Sequence, residues 1–460
     1  MTENSTTPKP WQGYQKIGFR FALIFFTLFI IFLDWSVNPI LSWLYYYGPL
    51  SSLLDTVVSW VGKGVFNIQS IIVSPYDGEH NDRTYVYILY FIIAVIAALG
   101  TILWSILDKK RQHYHVLYYC FTTIIRYYLA FTMFLFALYK FLRIQFPDLG
   151  YYTLTERVGD MSPMHLAWAF YGHSYGYNVF MGIVEGAALL LLFRRTNTLG
   201  AILIMAALAN VIVVNFSYDV HAKMYPTVLF TMAFFLFLRD AKSIIRFFLS
   251  GEAASIPVIQ APAYKKQWMQ NSKVVLKFVL ISSFLFVSIK GNMAFMNSIE
   301  KSLDAKSEYA GLYDIESFIH NGDTLSFDNS SRWQQLIIGD DMLEAVRFQG
   351  DSVAIVNLNV NDKELLLYGD PQDLVIKKQE VYNELGIGDD IYYGMDSILV
   401  ARNKISRLYF EKIDSSTLEL KGSINGDSVK VTARRRPIDI NEFRLKKSRF
   451  HWINEASYFY

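Results

Sequence analysis

The chain has 460 residues, of which 53% are hydrophobic, 16% aromatic and only 18% charged, whereas a soluble chain carries about a quarter charged residues. The net charge is +2 and no basic aromatic stripe is present, so nucleic acid is not an expected partner. A single cysteine, Cys120, excludes an internal disulfide, a Cys-x-x-Cys redox pair and a cysteine-based zinc or iron–sulfur site within one chain. Its place at the start of an apolar run predicts a buried, inert thiol.

Charges are scarce up to about residue 291 and normal afterwards, which predicts a membrane half followed by a soluble half. The first apolar run, Ile17 to Ser36, is too long for a signal-peptide core and lacks a small-x-small exit, so it is expected to stay as a helix. About 20 apolar residues cross a bilayer core. Seven runs qualify: 17–36, 85–107, 121–143, 177–193, 198–216, 223–239 and 273–291. Lys9, Lys16 and Arg20 precede the first. Lys109-Lys110-Arg111 follow the second, Arg194-Arg195 the fourth, and Arg239, Lys242, Arg246, Lys265 and Lys266 the sixth. With seven spans these clusters share one side, which predicts an inner-membrane protein with a cytoplasmic N-terminus and a periplasmic C-terminal domain.

Two outer loops are long. Residues 37–84 carry Leu53, Leu54, Val57, Val58 and Val61 at helical spacing, with Trp43 and Trp60, the pattern of an interfacial amphipathic helix. Residues 144–176 hold Pro147, Pro163 and many aromatics, which suits either a re-entrant segment capping the bundle or an aromatic belt. Residues 292–322 read as helix or connector. From Thr324 onward short β-runs with turn signals follow: Leu336–Ile338, Ser352–Val360, Glu364–Tyr368, Asp396–Val400, Ser406–Glu411, Leu418–Leu420 and Val429–Ala433. Asn425-Gly426 marks a hairpin, and the set predicts a small antiparallel barrel or sandwich. The aromatic tail from Phe450 to Tyr460 is expected to pack on it or on the membrane part. His320 and His451 stand isolated.

Ionisable residues inside spans are costly and mark candidate sites. Arg126 lies about 8 Å into the third span at 1.5 Å per residue. Glu185 lies near the midplane, ~10 Å away in depth within a core of ~30 Å. They are expected either to pair, or to form a site in which Glu185 titrates and Arg126 sets its pKa. Lys140, His173, Asp219, His221 and Lys223 gather at the outer level. Their residue types suit a quinone head group, an anion or a haem, although their spacing is no metal motif; interfacial snorkelling explains the lysines equally well.

The stretch Ile125-Arg126-Tyr-Tyr-Leu-Ala to Leu138-Tyr139-Lys140-Phe141 resembles the first core helix of DoxX/DoxD-like membrane proteins. Gly182-Ile-Val-Glu185-Gly186 with Leu189–Leu192 is similar to their second. Gly200-Ala201 to Met205, then Asn215-Phe-Ser-Tyr-Asp219 and Lys223, is similar to the third and its exit. Phe450-His-Trp-Ile-Asn-Glu455 resembles the tail of large Bacteroidetes members. The resemblance implies a four-helix core and a link to quinone or sulfur redox chemistry, with Arg126, Lys140 and Glu185 at matching positions. The missing cysteine pair is a departure from sulfur chemistry.

The expected architecture is an α-helical polytopic bundle of about seven transmembrane helices with a DoxX-like four-helix core, plus a C-terminal, mainly β barrel or sandwich. Its divisions are 1–120 (two helices and the amphipathic loop), 121–247 (core), 248–322 (connector with the seventh helix) and 323–460 (external β domain). Two functions remain open. One is a quinone-linked redox component, with Glu185 handling protons. The other is a non-enzymatic scaffold or accessory subunit that contacts lipid through its helices and an envelope protein through its β domain.

Overall fold

The computed structural model describes residues 10–33, 50–68, 82–253, 255–256, 258, 266–339, 344–349, 352–369 and 405–447. They fall into two compact units: residues up to Tyr139 with Phe180–Lys290, and Lys140–Val179 with the residues from Gly291 onward. In chain order the helices are α1 (Gly13–Phe32), α2 (Leu50–Phe66), α3 (Thr84–Leu107), α4 (His115–Phe141), α5 (Tyr151–Thr155), α6 (Pro163–His173) and α7 (Tyr175–Gly186). A 3-10 segment (Ala187–Leu192), α8 (Asn197–Ser217), α9 (Met224–Leu238), α10 (Ala241–Ser250) and α11 (Gln267–Lys306) follow.

Among the described residues six helices are long and apolar enough to cross a membrane: α1, α3, α4, Tyr175–Leu192, α8 and Asn271–Lys306 of α11. The chain is a membrane protein by this measure. The expected sixth span is instead the 15-residue α9, about 22 Å long against a core of ~30 Å. The apolar run is there, bounded by Lys223 and Arg239.

The helical unit is built on bulky side chains that its helices turn inward. Phe29, Ile93, Ile125, Leu129, Leu191 and Leu208 are fully buried, and Phe284 of α11 stacks on Phe131 of α4 with ring centroids 4.0 Å apart. α2 is the expected amphipathic helix, with Leu54, Val58 and Val61 inward and Leu53 and Trp60 exposed. Cys120, expected to be buried, is exposed. Val116 and Ile124, one turn to either side, are exposed as well, so the helical period puts all three on the outward face of α4. Arg20 of α1 ties down the α3–α4 connection. It donates to the Tyr114 hydroxyl (2.6 Å), Ser105 Oγ (2.7 Å) and the Asp108 carbonyl (3.1 Å).

The second unit is a closed antiparallel barrel. Its strands are β1 (Gly311–His320), β2 (Asp323–Thr324), β3 (Trp333–Ile338), β4 (Glu344–Phe348), β5 (Val353–Asn359), β6 (Glu364–Gly369), β7 (Ser406–Lys412), β8 (Thr417–Ile424) and β9 (Asp427–Arg435). β2 only extends the end of β1. The remaining eight pair as a meander, and β9 returns to β1 from Tyr313↔Arg435 to His320↔Val429. Alternation follows the strand period: Val429, Val431 and Ala433 point into the apolar core with Leu418 and Leu420, while Ser428, Lys430 and Arg434 face out. The β8–β9 hairpin is the expected one. Asn425 (φ 52°) and Gly426 (φ 94°) supply the two positive-φ residues of a tight turn whose twist matches the strands.

Three differences from expectation have physical causes. The β domain begins at Gly311, inside the stretch expected to be connector, because a bulge between Ile315 and Ser317 breaks the period of two. The short β4 carries a buried glutamate, Glu344, held by Lys306 at 2.5 Å. The segment 144–176 packs on the barrel: Tyr151 is buried with Leu312 and Ile337, Ile438 and Phe443 pack against this cluster, and Lys446 meets Asp148 at 3.2 Å. His320 is a partly exposed histidine whose Nε2 lies 3.2 Å from Asp427. The expected strand 396–400 and the aromatic tail with His451 lie outside the described residues.

Candidate functional site

α7 changes from α-helical to 3-10 winding directly after Glu185-Gly186. Gly200 lets α8 pass against the backbone of this segment; a Cβ there would sit 3.1 Å from Leu191 N. The last carbonyls of a helix have no partner within it, and inside a bilayer no water takes their place. Here side chains from other elements do so. Thr196 Oγ1 donates to Leu190 O at 2.6 Å, Arg126 Nε of α4 to Leu191 O at 2.8 Å, and Lys277 Nζ of α11 to Leu192 O at 2.7 Å. Two of the three donors are cations, which suits the negative end of the helix dipole.

Arg126 is 2% exposed and Glu185 4% exposed. Both are therefore buried intramembrane ionisable groups, as the sequence predicts. Arg126 directs its Nε at the Leu191 carbonyl. Its Nη2 is buried and has no hydrogen-bond partner among the described residues. Glu185 occupies the last α-helical turn before the 3-10 break. Lys277 went unnoticed in the sequence, although a lone lysine inside the run 274–289 is the same signal that singled out Arg126.

The residues expected at the outer level divide between the two units. In the helical unit Lys223 Nζ lies 2.8 Å from Asp219 Oδ1, and the ammonium beside it holds the Asp219 carboxyl below the ordinary carboxylate range. Asp82 accepts from Lys223 N (2.5 Å) and Met224 N (3.3 Å), so it caps the start of α9. The backbone carbonyl of His221 accepts from Asp82 N at 2.7 Å, and its residue is exposed. Lys140 and His173 belong to the barrel unit. Lys140 Nζ donates to Gln145 Oε1 at 2.8 Å and lies 5.6 Å from the Phe146 ring centre; His173 is the exposed last residue of α6. Among the described residues no three His, Cys, Asp or Glu side chains converge as metal ligands would.

A further polar chain lies between α5 and α6. His165 Nδ1 meets Glu156 Oε2 at 2.6 Å and its Nε2 meets Thr153 Oγ1 at 3.0 Å. Burial pushes the Glu156 carboxyl above its ordinary range, against the opposing pull of His165 and Arg347. The connectivity is that of a hydroxyl–imidazole–carboxylate relay. Thr153 is buried, however, and the Tyr152 ring stacks on the imidazole at 5.5 Å. The chain therefore ties two short helices together. Twelve residues of sequence separate its members, with no spacing motif to announce them.

One curated protein, the uncharacterized YwoB of Bacillus subtilis (strain 168), is 32% identical over 124 residues, which are 27% of this chain and 79% of YwoB. The chain belongs to the YwoB family. Most of YwoB thus aligns with about a quarter of this chain, and the larger part of this YwoB-family member lies outside the match. No family model matches the chain. No solved structure matches it either.

Proposed function

We propose that this YwoB-family chain is a multi-pass inner-membrane scaffold with a DoxX-like helical core, whose periplasmic barrel docks an envelope protein. One observation carries the reading: the barrel interior is filled by its own side chains, from Trp333 and Leu336 to Leu420 and Val431. A small barrel filled in this way is a packed core and not a ligand chamber, which leaves its outer surface for recognition. Tyr409 and Ile413 are more than half exposed there. The lysine and arginine clusters beside the spans support the orientation, with the short α9 as the point where the alternation depends on a marginal helix.

The test is site-specific photo-crosslinking in cells from Tyr409 and Ile413, with Val158 as a comparison position in the α5–α6 connection. A discrete adduct from the barrel positions is expected; no adduct from either one overturns the docking reading. A second reading, the quinone-linked redox component, is favoured by the buried carboxylate Glu185 at the 3-10 break, since such groups carry protons in membrane proteins. Retained quinone or a haem band in the purified protein would replace the scaffold reading. A colourless protein without quinone would remove the redox one.

A further inference from the structure

No side chain of α10 (Ala241–Ser250) is buried, although half of its ten residues are large and apolar: Ile244, Ile245, Phe247, Phe248 and Leu249. At about 100° per residue these five and Ala241 fall within an arc of about 200°, with Phe248 at its centre. Lys242, Ser243, Arg246 and Ser250 fall within a separate arc of about 100°. The sequence thus divides the helix lengthwise into an apolar face and a basic one, and it holds no carboxylate. Phe248 and Leu249 are 74% and 82% exposed, so the rest of the chain does not cover the apolar face.

The position of α10 says what covers it. Only Arg239 and Asp240 join it to α9. Asp240 is buried and accepts from Thr198 Oγ1 in the first turn of α8, a helix long enough to cross a bilayer. The start of α10 therefore shares the level of a span's end. Asp240 also accepts from Arg239 Nε at 2.8 Å, so this carboxylate is engaged before α10 begins. Arg246 Nη1 lies 3.9 Å from the exposed Glu252, an ion pair open to water and of little worth. Gly251, at φ 65°, ends the helix, which at about 15 Å is too short to cross a core of ~30 Å. A short helix of this pattern at the end of a span lies flat in the interface, and basic residues at that level attract anionic lipid.

We propose that α10 lies in the plane of the membrane interface and binds an anionic lipid surface, with Ile244, Ile245 and Phe248 in the acyl boundary and Lys242 and Arg246 at the lipid phosphates. The inference rests on the helical unit being embedded in a bilayer and is independent of what the barrel docks.

Cys120→Ser, at an exposed position, frees the full chain of cysteine, and Phe248→Cys or Ser250→Cys then carries a bimane fluorophore. Each protein would be placed in phosphatidylcholine nanodiscs containing the same minor share of doxyl-labelled phosphatidylglycerol or doxyl-labelled phosphatidylcholine. Bimane at Phe248 is expected to be quenched by the doxyl lipids and shielded from aqueous acrylamide, and bimane at Ser250 to show the reverse. At Phe248 the labelled phosphatidylglycerol should quench more strongly than the labelled phosphatidylcholine. Lys242→Gln with Arg246→Gln should remove that preference, each charge being worth about fivefold in local anionic lipid, and Lys242→Arg should keep it. These positions lie on a helix without buried side chains, so folding is expected to survive. Acrylamide quenching at both positions overturns the proposal. Equal quenching by the two labelled lipids, or a preference that outlasts the loss of both charges, overturns it as well. Shielding of Phe248 from lipid and acrylamide alike overturns it in favour of a protein on this face, a second copy included.

Discussion

Arg126 in the helical unit and Arg332 in the barrel both donate to carbonyls that their own secondary structure leaves over. Arg126 meets Leu191 O where α7 winds into a 3-10 segment. Arg332 Nη2 meets Ile315 O at 2.8 Å and Glu316 O at 3.3 Å, where the bulge in β1 interrupts the ladder. Both are nearly fully buried, at 2% and 5% exposure. They differ in what stands behind them. Arg332 lies 5.2 Å from the ring centre of Phe327, which is 67% exposed, so water is at hand if the guanidinium is removed. Arg126 sits within a span, where no water can take over. The same contact should thus be worth more in the helical unit.

Arg126→Met is therefore expected to have the largest effect, about 3 kcal/mol, because it leaves a buried carbonyl without a partner in a low-dielectric setting. Thermal unfolding in mild detergent measures it. Combined with Glu185→Gln, the two losses should add within ~0.5 kcal/mol. A larger recovery in the double variant would mean that the two groups are coupled, and that the carbonyl cap is not the main role of Arg126.

Arg332→Met should cost less, about 1 kcal/mol, the ordinary worth of a protein hydrogen bond that water can replace. Its signature is faster amide exchange at Ser317 and Phe318, with the rest of the barrel unchanged. If its cost equals that of Arg126→Met, access to water does not set the difference between the units.

The same contrast explains what could be seen in the sequence. Arg126 and Glu185 stand out because a charge within 20 apolar residues is rare. The partner of Arg126 does not, because Ala187–Leu192 is as apolar as any helix and nothing in it announces the 3-10 winding. In the barrel, strands such as Val429–Ala433 are legible from alternation and the Asn425-Gly426 turn. β1 is not: its bulge puts two residues between the inward-facing Ile315 and Phe318. Closure of β9 on β1 joins residues more than a hundred positions apart, which no local pattern encodes. Arg332 was missed for that reason, since its task exists only once β1 is a bulged strand.

The smallest expected effect concerns a half-buried charge in the barrel unit with a partner other than a carbonyl. Glu156 has its carboxyl raised chiefly by burial, with His165 and Arg347 opposing. A carboxyl whose folded-state pKa lies above its unfolded value contributes stability that is fully present below the unfolded pKa and is lost as pH rises through the folded one. Wild type should therefore lose stability relative to Glu156→Gln as pH rises above the ordinary glutamate range of about 4, the two being nearly equal at the acid end. Amide exchange across α5 and α6, compared in the two proteins at several pH values, reads this directly. If wild type instead gains on Glu156→Gln as pH rises, the contact with His165 outweighs burial. Glu156 would then resemble Arg126 and Arg332 as a charge whose partner outweighs the cost of its burial.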